Sequence, residues 1–423
     1  MLYAQAMASG STPLDRHIIQ GTLQVGLYQR YAGAKVLVLI PDPTNGSAFA
    51  LPLLFRLLVD VLQDAAQLDF MAVQGAQAAL SDEALLQLVG IEEDEKQIEY
   101  QHVNLLSHTW QEPDDLIAIG NLSQAQIQQI AGEHWHESLG GDVPVRVNKC
   151  VQQYDEILIL APTAPHEILG FGGGAAYLVP GIAGPEMIDV THWLSALVGT
   201  QDVIGVYDTP ARQLIHAAAD FIETPVTLIS VVTEGANTLA VLIGDCIDAW
   251  KAAVNVSANR HIFWLPHAMQ RVLCQAPPYY TDLWSAAKSV QRVEPAVADG
   301  GEIILYAPHL KHISSLYAEQ IHDIGYHVRD YFIEQWENYE QVPLRVLAHS
   351  VMLRGAGSYE YGSEWSRIDV TLASQITKAD CDALGLGYKS AVELDPAKWI
   401  NRVDDGVLYV PHAGQTLYKV LGA

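Results

Sequence analysis

Basic residues are scarce in this chain. Lys and Arg number 23 against 49 Asp and Glu, which leaves a formal charge of −26 over 423 residues. A surface of that sign repels phosphate backbones and anionic lipid, because neutralising them takes clustered Lys and Arg; neither nucleic acid nor a membrane is an expected partner. An anionic substrate is disfavoured too, unless its site gathers positive charge locally. Cysteine is sparse as well. Cys150, Cys246, Cys274 and Cys381 stand far apart, with no CxxC and no zinc spacing, which points to a reducing compartment. No apolar run reaches the roughly 18 residues that a bilayer-spanning helix needs. The opening MLYAQAMASGSTPLDR has no basic segment followed by an apolar core, so no secretory leader is read there and a cytoplasmic location is expected. Internal repeats and low-complexity tracts are absent.

Half of the residues are apolar and 17% are charged, the balance of a folded, well-buried enzyme. The length predicts two domains. Lys35 to Ile40 (KVLVLI) reads as a buried parallel strand, broken by Pro41-Asp42-Pro43-Thr44-Asn45-Gly46 and followed by helical spacing from Ala50 to Leu62. Leu116 to Ile119 and Ile157 to Ala161 are further buried-strand candidates, and Val226 to Ile243 reads as a hairpin around Glu234-Gly235-Ala236-Asn237. A second block of strands is predicted at Ile303–Tyr306, Arg345–Ala348 and Val407–Val410. The expected fold is α/β: an N-terminal parallel-sheet domain, residues 1–257, and a smaller C-terminal α/β domain, residues 258–423, with the active site in the cleft between them. The boundary is placed where the sequence turns polar near Val254–Ala258, and the last strand is a candidate to return to the first domain. Ligands of such sheets bind outside the carboxyl ends of the strands, where Asp42, Gly120 and His166 are expected.

The densest chemistry lies between Asn148 and His192. An apolar strand delivers Pro165-His166 into a loop of little bulk, Gly170-Phe171-Gly172-Gly173-Gly174, followed by Pro180-Gly181 and then His192. Glycines in such a place let a large ligand approach the backbone. Two other histidine clusters look like metal sites and are read otherwise. Glu133-His134-Trp135-His136-Glu137 is taken as exposed polar sequence, and His309-Leu310-Lys311-His312 lacks a nearby Cys or Asp.

The order PH, GFGGG, PGIAG, H resembles the lactate racemase catalytic subunit family, racemases and epimerases that use a nickel-pincer nucleotide (a nickel–pyridinium-3,5-bisthiocarboxylic acid mononucleotide) to invert 2-hydroxy acids. The resemblance implies His108 and His166 as the two catalytic bases and His192 as the nickel ligand. Asp42, Thr44, Asn45, Gly172, Gly173, Gly174 and Ala176 fall at its cofactor-binding positions. Thr281 to Lys288 resembles its D-x-x-x-x-x-K segment, so Lys288 is expected to anchor the substrate carboxylate, with Trp284 and Trp336 lining the substrate. Cofactor-biosynthesis proteins are implied as partners. Three departures stand out. The family loop reads GFSGGAK, and its lysine, which can hold the cofactor covalently, is Ala176 here. Its serine is Gly172. The arginine of its DHTRP motif is Asn45, an amide that cannot replace a guanidinium bidentately. These changes leave three readings open: inversion with a non-covalently held cofactor, inversion of a larger substrate such as a sugar acid, or a catalytically inactive homologue that binds the cofactor or an acid.

Overall fold

The computed structural model describes residues 1–10, 12–44 and 50–422. Its larger sheet has seven strands in the order β1-β11-β10-β7-β2-β3-β4. These are β1 (Leu2–Met7), β2 (Lys35–Ile40), β3 (Gln67–Ala72), β4 (Val103–Ser107), β7 (Glu156–Pro162), β10 (Val226–Glu234) and β11 (Asn237–Asp245). From β10 across to β4 every pairing is parallel; only the β10–β11 hairpin and β1 run antiparallel.

The sequence of β2 explains its central place. Leu37 and Leu39 enter one buried cluster, while Val36, Val38 and Ile40 enter another on the opposite face. Side chains of period two, apolar on both faces, need cover on both sides. Helices Arg16–Leu27 and Leu51–Val61 cover one face; Pro185–Val198, Pro210–Ala219 and Cys246–His261 cover the other. The chain winds outward from β2 through β3 to β4, then returns to the other side of β2 as β7. The β2–β7 pair is therefore the point of topological reversal, where a crevice opens beyond the carboxyl ends.

Two small ladders hang off this sheet: the hairpin of β5 (Leu116–Leu122) with β6 (Val143–Asn148), and the two-residue pair β8 (Pro165–His166) with β9 (Gly170–Phe171). A second sheet, order β18-β17-β14-β13-β19, is parallel throughout. It comprises β13 (Met269–Gln275), β14 (Val297–Ala307), β17 (Asp369–Ser374), β18 (Gly387–Tyr388) and β19 (Val407–Val410). Between the two lie β12 (Ile262–Leu265) and, paired with it in parallel, the last strand β20 (Leu417–Val420); β15 (Gly357–Glu360) and β16 (Ser363–Ser366) form an outlying hairpin. One buried cluster joins the sheets, running from Leu37 and Ile157 through Trp193 to Leu283 and Leu347.

Three expectations are corrected. Leu116–Ile119 belongs to the β5–β6 hairpin and not to the parallel sheet, and Gly120 sits inside β5, where the ring of Phe221 leaves no room for a Cβ. Arg345–Ala348 is part of the helix Leu344–Arg354. Its residues 345–353 are all buried, so the run carries no amphipathic signal that would separate helix from strand. Position 257/258 falls inside the helix Cys246–His261, which packs on β10 and β11, so the passage between the sheets comes after it. Among the described residues no helix is long and apolar enough to cross a membrane, and all four cysteines are free.

Candidate active site

A cleft opens at the β2–β7 reversal and is closed on its far side by helices Leu283–Gln291 and Leu344–Arg354 of the second sheet. A smaller space of about 510 Å³ shares its Asp42, Thr44, His166, Glu167, Gly172 and Lys288.

Beyond β2, Asp42 Oδ1 accepts the Thr44 backbone N–H at 2.8 Å and its hydroxyl as well, a side-chain turn that bends the chain into the cleft. Asn45 lies outside the described residues. Beyond β7, the β8–β9 ladder holds His166. The ladder depends on Gly170: its φ is +75°, and a Cβ there would stand 1.9 Å from the Val206 carbonyl oxygen. His166 Nδ1 accepts the Ile168 N–H at 3.1 Å. Burial, with Lys288, Arg292 and Arg212 nearby, outweighs Glu167 and pushes the ring down to about 4, so it is neutral near pH 7. Glu167 is buried and faces Arg292 at 3.4 Å and Lys288 at 3.9 Å. Burial opposes its charge, but His166, Lys288 and Arg292 hold the carboxyl well below the usual carboxylate range. Because His166 is itself neutral near pH 7, the two permanent cations carry that effect.

His192 rises from the helix Pro185–Val198. Its Nδ1 donates to the Ile188 carbonyl one turn back, at 2.6 Å, which fixes the tautomer and leaves Nε2 with a lone pair. Burial pushes this imidazole down to about 4, the neutral state a metal requires. Opposite, Asp282 caps the helix Leu283–Gln291 by accepting the Ser285 N–H at 2.9 Å, and Trp284 and Lys288 project from it into the cleft. The Trp284 indole stacks on His349, ring centroids 4.1 Å apart, and packs at a tilt against Tyr317 at 4.4 Å.

Residues 136–204, from the end of the polar histidine cluster through β6, the PH loop, the glycine loop and His192, match the lactate racemase N-terminal domain family. The match to that family covers this stretch alone. A crystal structure of a protein from Thermotoga maritima is similar over 96% of this chain and 99% of its own, at 26% identity and a TM-score of 0.86. The lactate racemase apoprotein from Thermoanaerobacterium thermosaccharolyticum shares the fold, with a TM-score of 0.69 at 15% identity over 98% of this chain and 99% of its own. No curated protein sequence matches.

Of the residues that the sequence singled out, Asp42, Thr44, His166, Gly172, Gly173, Ala176, His192, Trp284 and Lys288 meet in the cleft. Three do not. His108 is fully buried outside the lining, with Nε2 on the Ala183 carbonyl at 3.0 Å and Nδ1 on the Asn148 amide at 3.2 Å. It follows β4, the sheet's edge, whereas the loop that reaches the cleft is Val73–Gln77, after β3. Trp336 packs on Trp193 and His136, away from the cleft. Gly174 turns toward the Trp250 ring, 3.0 Å from where its Cβ would be.

Sequence reasoning missed Glu167, Arg292, Arg345 and His349. Arg345 lines the cleft, pairs with Asp189 at 2.7 Å and donates to the Tyr317 hydroxyl at 3.1 Å. His349 also lines it. Its Nε2 lies 3.2 Å from the Trp284 carbonyl, so the neutral ring keeps its lone pair on Nδ1, which is buried and has no partner among the described residues. Among the described residues no group of three His, Cys, Asp or Glu side chains is arranged to hold a metal. A metal here needs most of its ligands from elsewhere.

Proposed function

We propose that the protein is an isomerase that inverts the C2 centre of a 2-hydroxy acid, using a nickel-pincer nucleotide held without a covalent bond. The observation that carries this reading is His192, its Nδ1 anchored and its Nε2 free, sharing one cleft with His166 and Lys288. The residues fit such a group. One neutral imidazole suffices as protein ligand when the other donors belong to the cofactor. Gly172 and Gly173 keep the wall low, and Ala176 lines it without an amine. When bound, the group supplies a hydride acceptor, which spares the reaction a carbanion at a weakly acidic carbon.

The chain's own residues supply binding and proton handling. Lys288 Nζ is 3.9 Å from Glu167, beyond hydrogen-bond distance, so its donors remain open to a substrate carboxylate. In neutral His166 the Ile168 contact at Nδ1 leaves the ring proton on Nε2. A second proton taken up at Nδ1 exchanges that contact for the Glu167 carboxylate, 4.0 Å away. His349, on the opposite helix, takes the role that sequence reading gave to His108: its Nδ1 lone pair is the second proton acceptor. Two acceptors on different walls serve an inversion in which the hydroxyl proton leaves from either side.

The test is incubation of protein, co-expressed with cofactor-synthesis proteins, with single-enantiomer lactate, malate, aromatic and sugar acids, followed by chiral chromatography. Inversion of at least one acid is expected. Stoichiometric nickel with no inversion of any acid would leave a binding protein and defeat the catalytic reading.

A further inference from the structure

Arg212 carries a charge that no carboxylate answers. It stands on the helix Pro210–Ala219 and is 2% exposed. Among the described residues it forms no ion pair. Burying a lone cation is costly unless an anion arrives to compensate it.

The guanidinium is spent on the back of the glycine loop. Nη1 donates to the Gly173 carbonyl at 3.1 Å and Nη2 to the Phe171 carbonyl. The Trp250 indole, 4.2 Å from the guanidinium carbon, donates to the Gly172 carbonyl between them at 2.8 Å. Three consecutive carbonyls, at Phe171, Gly172 and Gly173, are thus all held by these two side chains. Gly172 and Gly173 border the cleft. The Gly172 N–H is spent on the Ala164 carbonyl at 2.8 Å; the Gly173 N–H has no acceptor among the described residues. The Gly173 N–H belongs to the peptide whose carbonyl Trp250 holds; Arg212 holds the peptides on either side and bears on the cleft through its charge. The charge is felt across the loop at His166. Meanwhile the two cations that the family pattern places near the cofactor are absent, one position being Ala176 and the other Asn45.

We propose that Arg212 is the fixed positive charge that holds an oxyanion of the bound cofactor, a phosphate or carboxylate of a pyridinium mononucleotide, against the glycine loop. It acts across the loop through its charge and touches no ligand, so it is a positioning residue. The inference rests on the cofactor reading above.

Nicotinic acid mononucleotide is the probe, titrated calorimetrically into chain made without cofactor-synthesis proteins, at two salt concentrations. Arg212→Gln should bind it roughly 10- to 100-fold more weakly, the range for losing one unit charge at short range in a protein interior, with a flatter salt dependence. Arg212→Lys keeps the charge and should stay within a few-fold of wild type, which tests the idea even where Arg212→Gln does not fold. The phosphate-free riboside and inorganic phosphate show which oxyanion is held. Wild-type affinity in folded Arg212→Gln, or equal loss in Arg212→Lys and Arg212→Gln, overturns this inference alone. Absence of binding to wild type overturns the cofactor reading and this inference with it.

Discussion

Replacing Glu167 by Gln keeps shape and removes charge, and the structure sets the size of the response. The carboxylate and its partner Arg292 are both buried, with 5% and 7% of their side chains exposed, so solvent screening does little to soften their interaction. Breaking one side of a buried pair leaves the other charge uncompensated and typically costs about 3–5 kcal/mol. Arg292 retains the Pro165 and Lys288 carbonyls, which places the expected loss near the lower end, about 3 kcal/mol. The loss should depend on pH. The folded carboxyl is held below its ordinary value, so its stabilisation is fully present above the unfolded value of about 4.3 and disappears as pH falls through the lower folded one. Urea unfolding of both proteins near pH 7 and at stepwise lower pH reads this directly. A difference under about 1 kcal/mol near pH 7, or one that grows on acidification, would refute the buried-pair argument.

His192→Ala should abolish nickel retention in co-expressed protein while the melting temperature holds, as elemental analysis would show; retained nickel moves the ligand elsewhere. Turnover should fall by about 10²–10⁴-fold in His166→Ala and in His349→Ala, whereas His108→Gln, a change outside the cleft, should keep turnover near wild type and lose stability instead. Normal turnover in His349→Ala would return the second acceptor to another group. Denaturing mass spectrometry of loaded protein should give the unmodified chain mass and native mass spectrometry an added cofactor, because Ala176 has no nitrogen to form a tether; a covalent adduct would direct attention to Lys288 or Lys149.

The fold was legible where burial leaves a periodic or continuous trace. KVLVLI is such a run because both faces of β2 are covered, and the β10–β11 hairpin announces itself by Glu234 to Asn237 between two apolar strands. The helix Leu344–Arg354 left no trace of its period, since its buried face extends all round. Its punctuation was nonetheless in the sequence: Pro343 at the start and Gly355, at φ +83°, at the end bracket a segment long enough for three turns.

The site divides the same way. His166, the glycine loop and His192 follow one another along the chain, so their proximity is local and spacing reveals it. Glu167 with Arg292, and His192 with His349, face each other only because two sheets close on a shared core, and no spacing rule links residues so far apart in sequence. His108 shows the converse. The resemblance implied it as a base at the site, but it follows β4, and strands lie about 4.8 Å apart, which sets β4 roughly 10 Å from β2. The loop after β3 lies half as far away and carries Gln74 and Gln77 in place of a histidine. Which loop reaches a crevice is decided by strand order, and strand order is a property of the assembled sheet. That is why the cation most closely tied to the glycine loop, Arg212, could be recognised only once the loop's carbonyls were seen to converge on it.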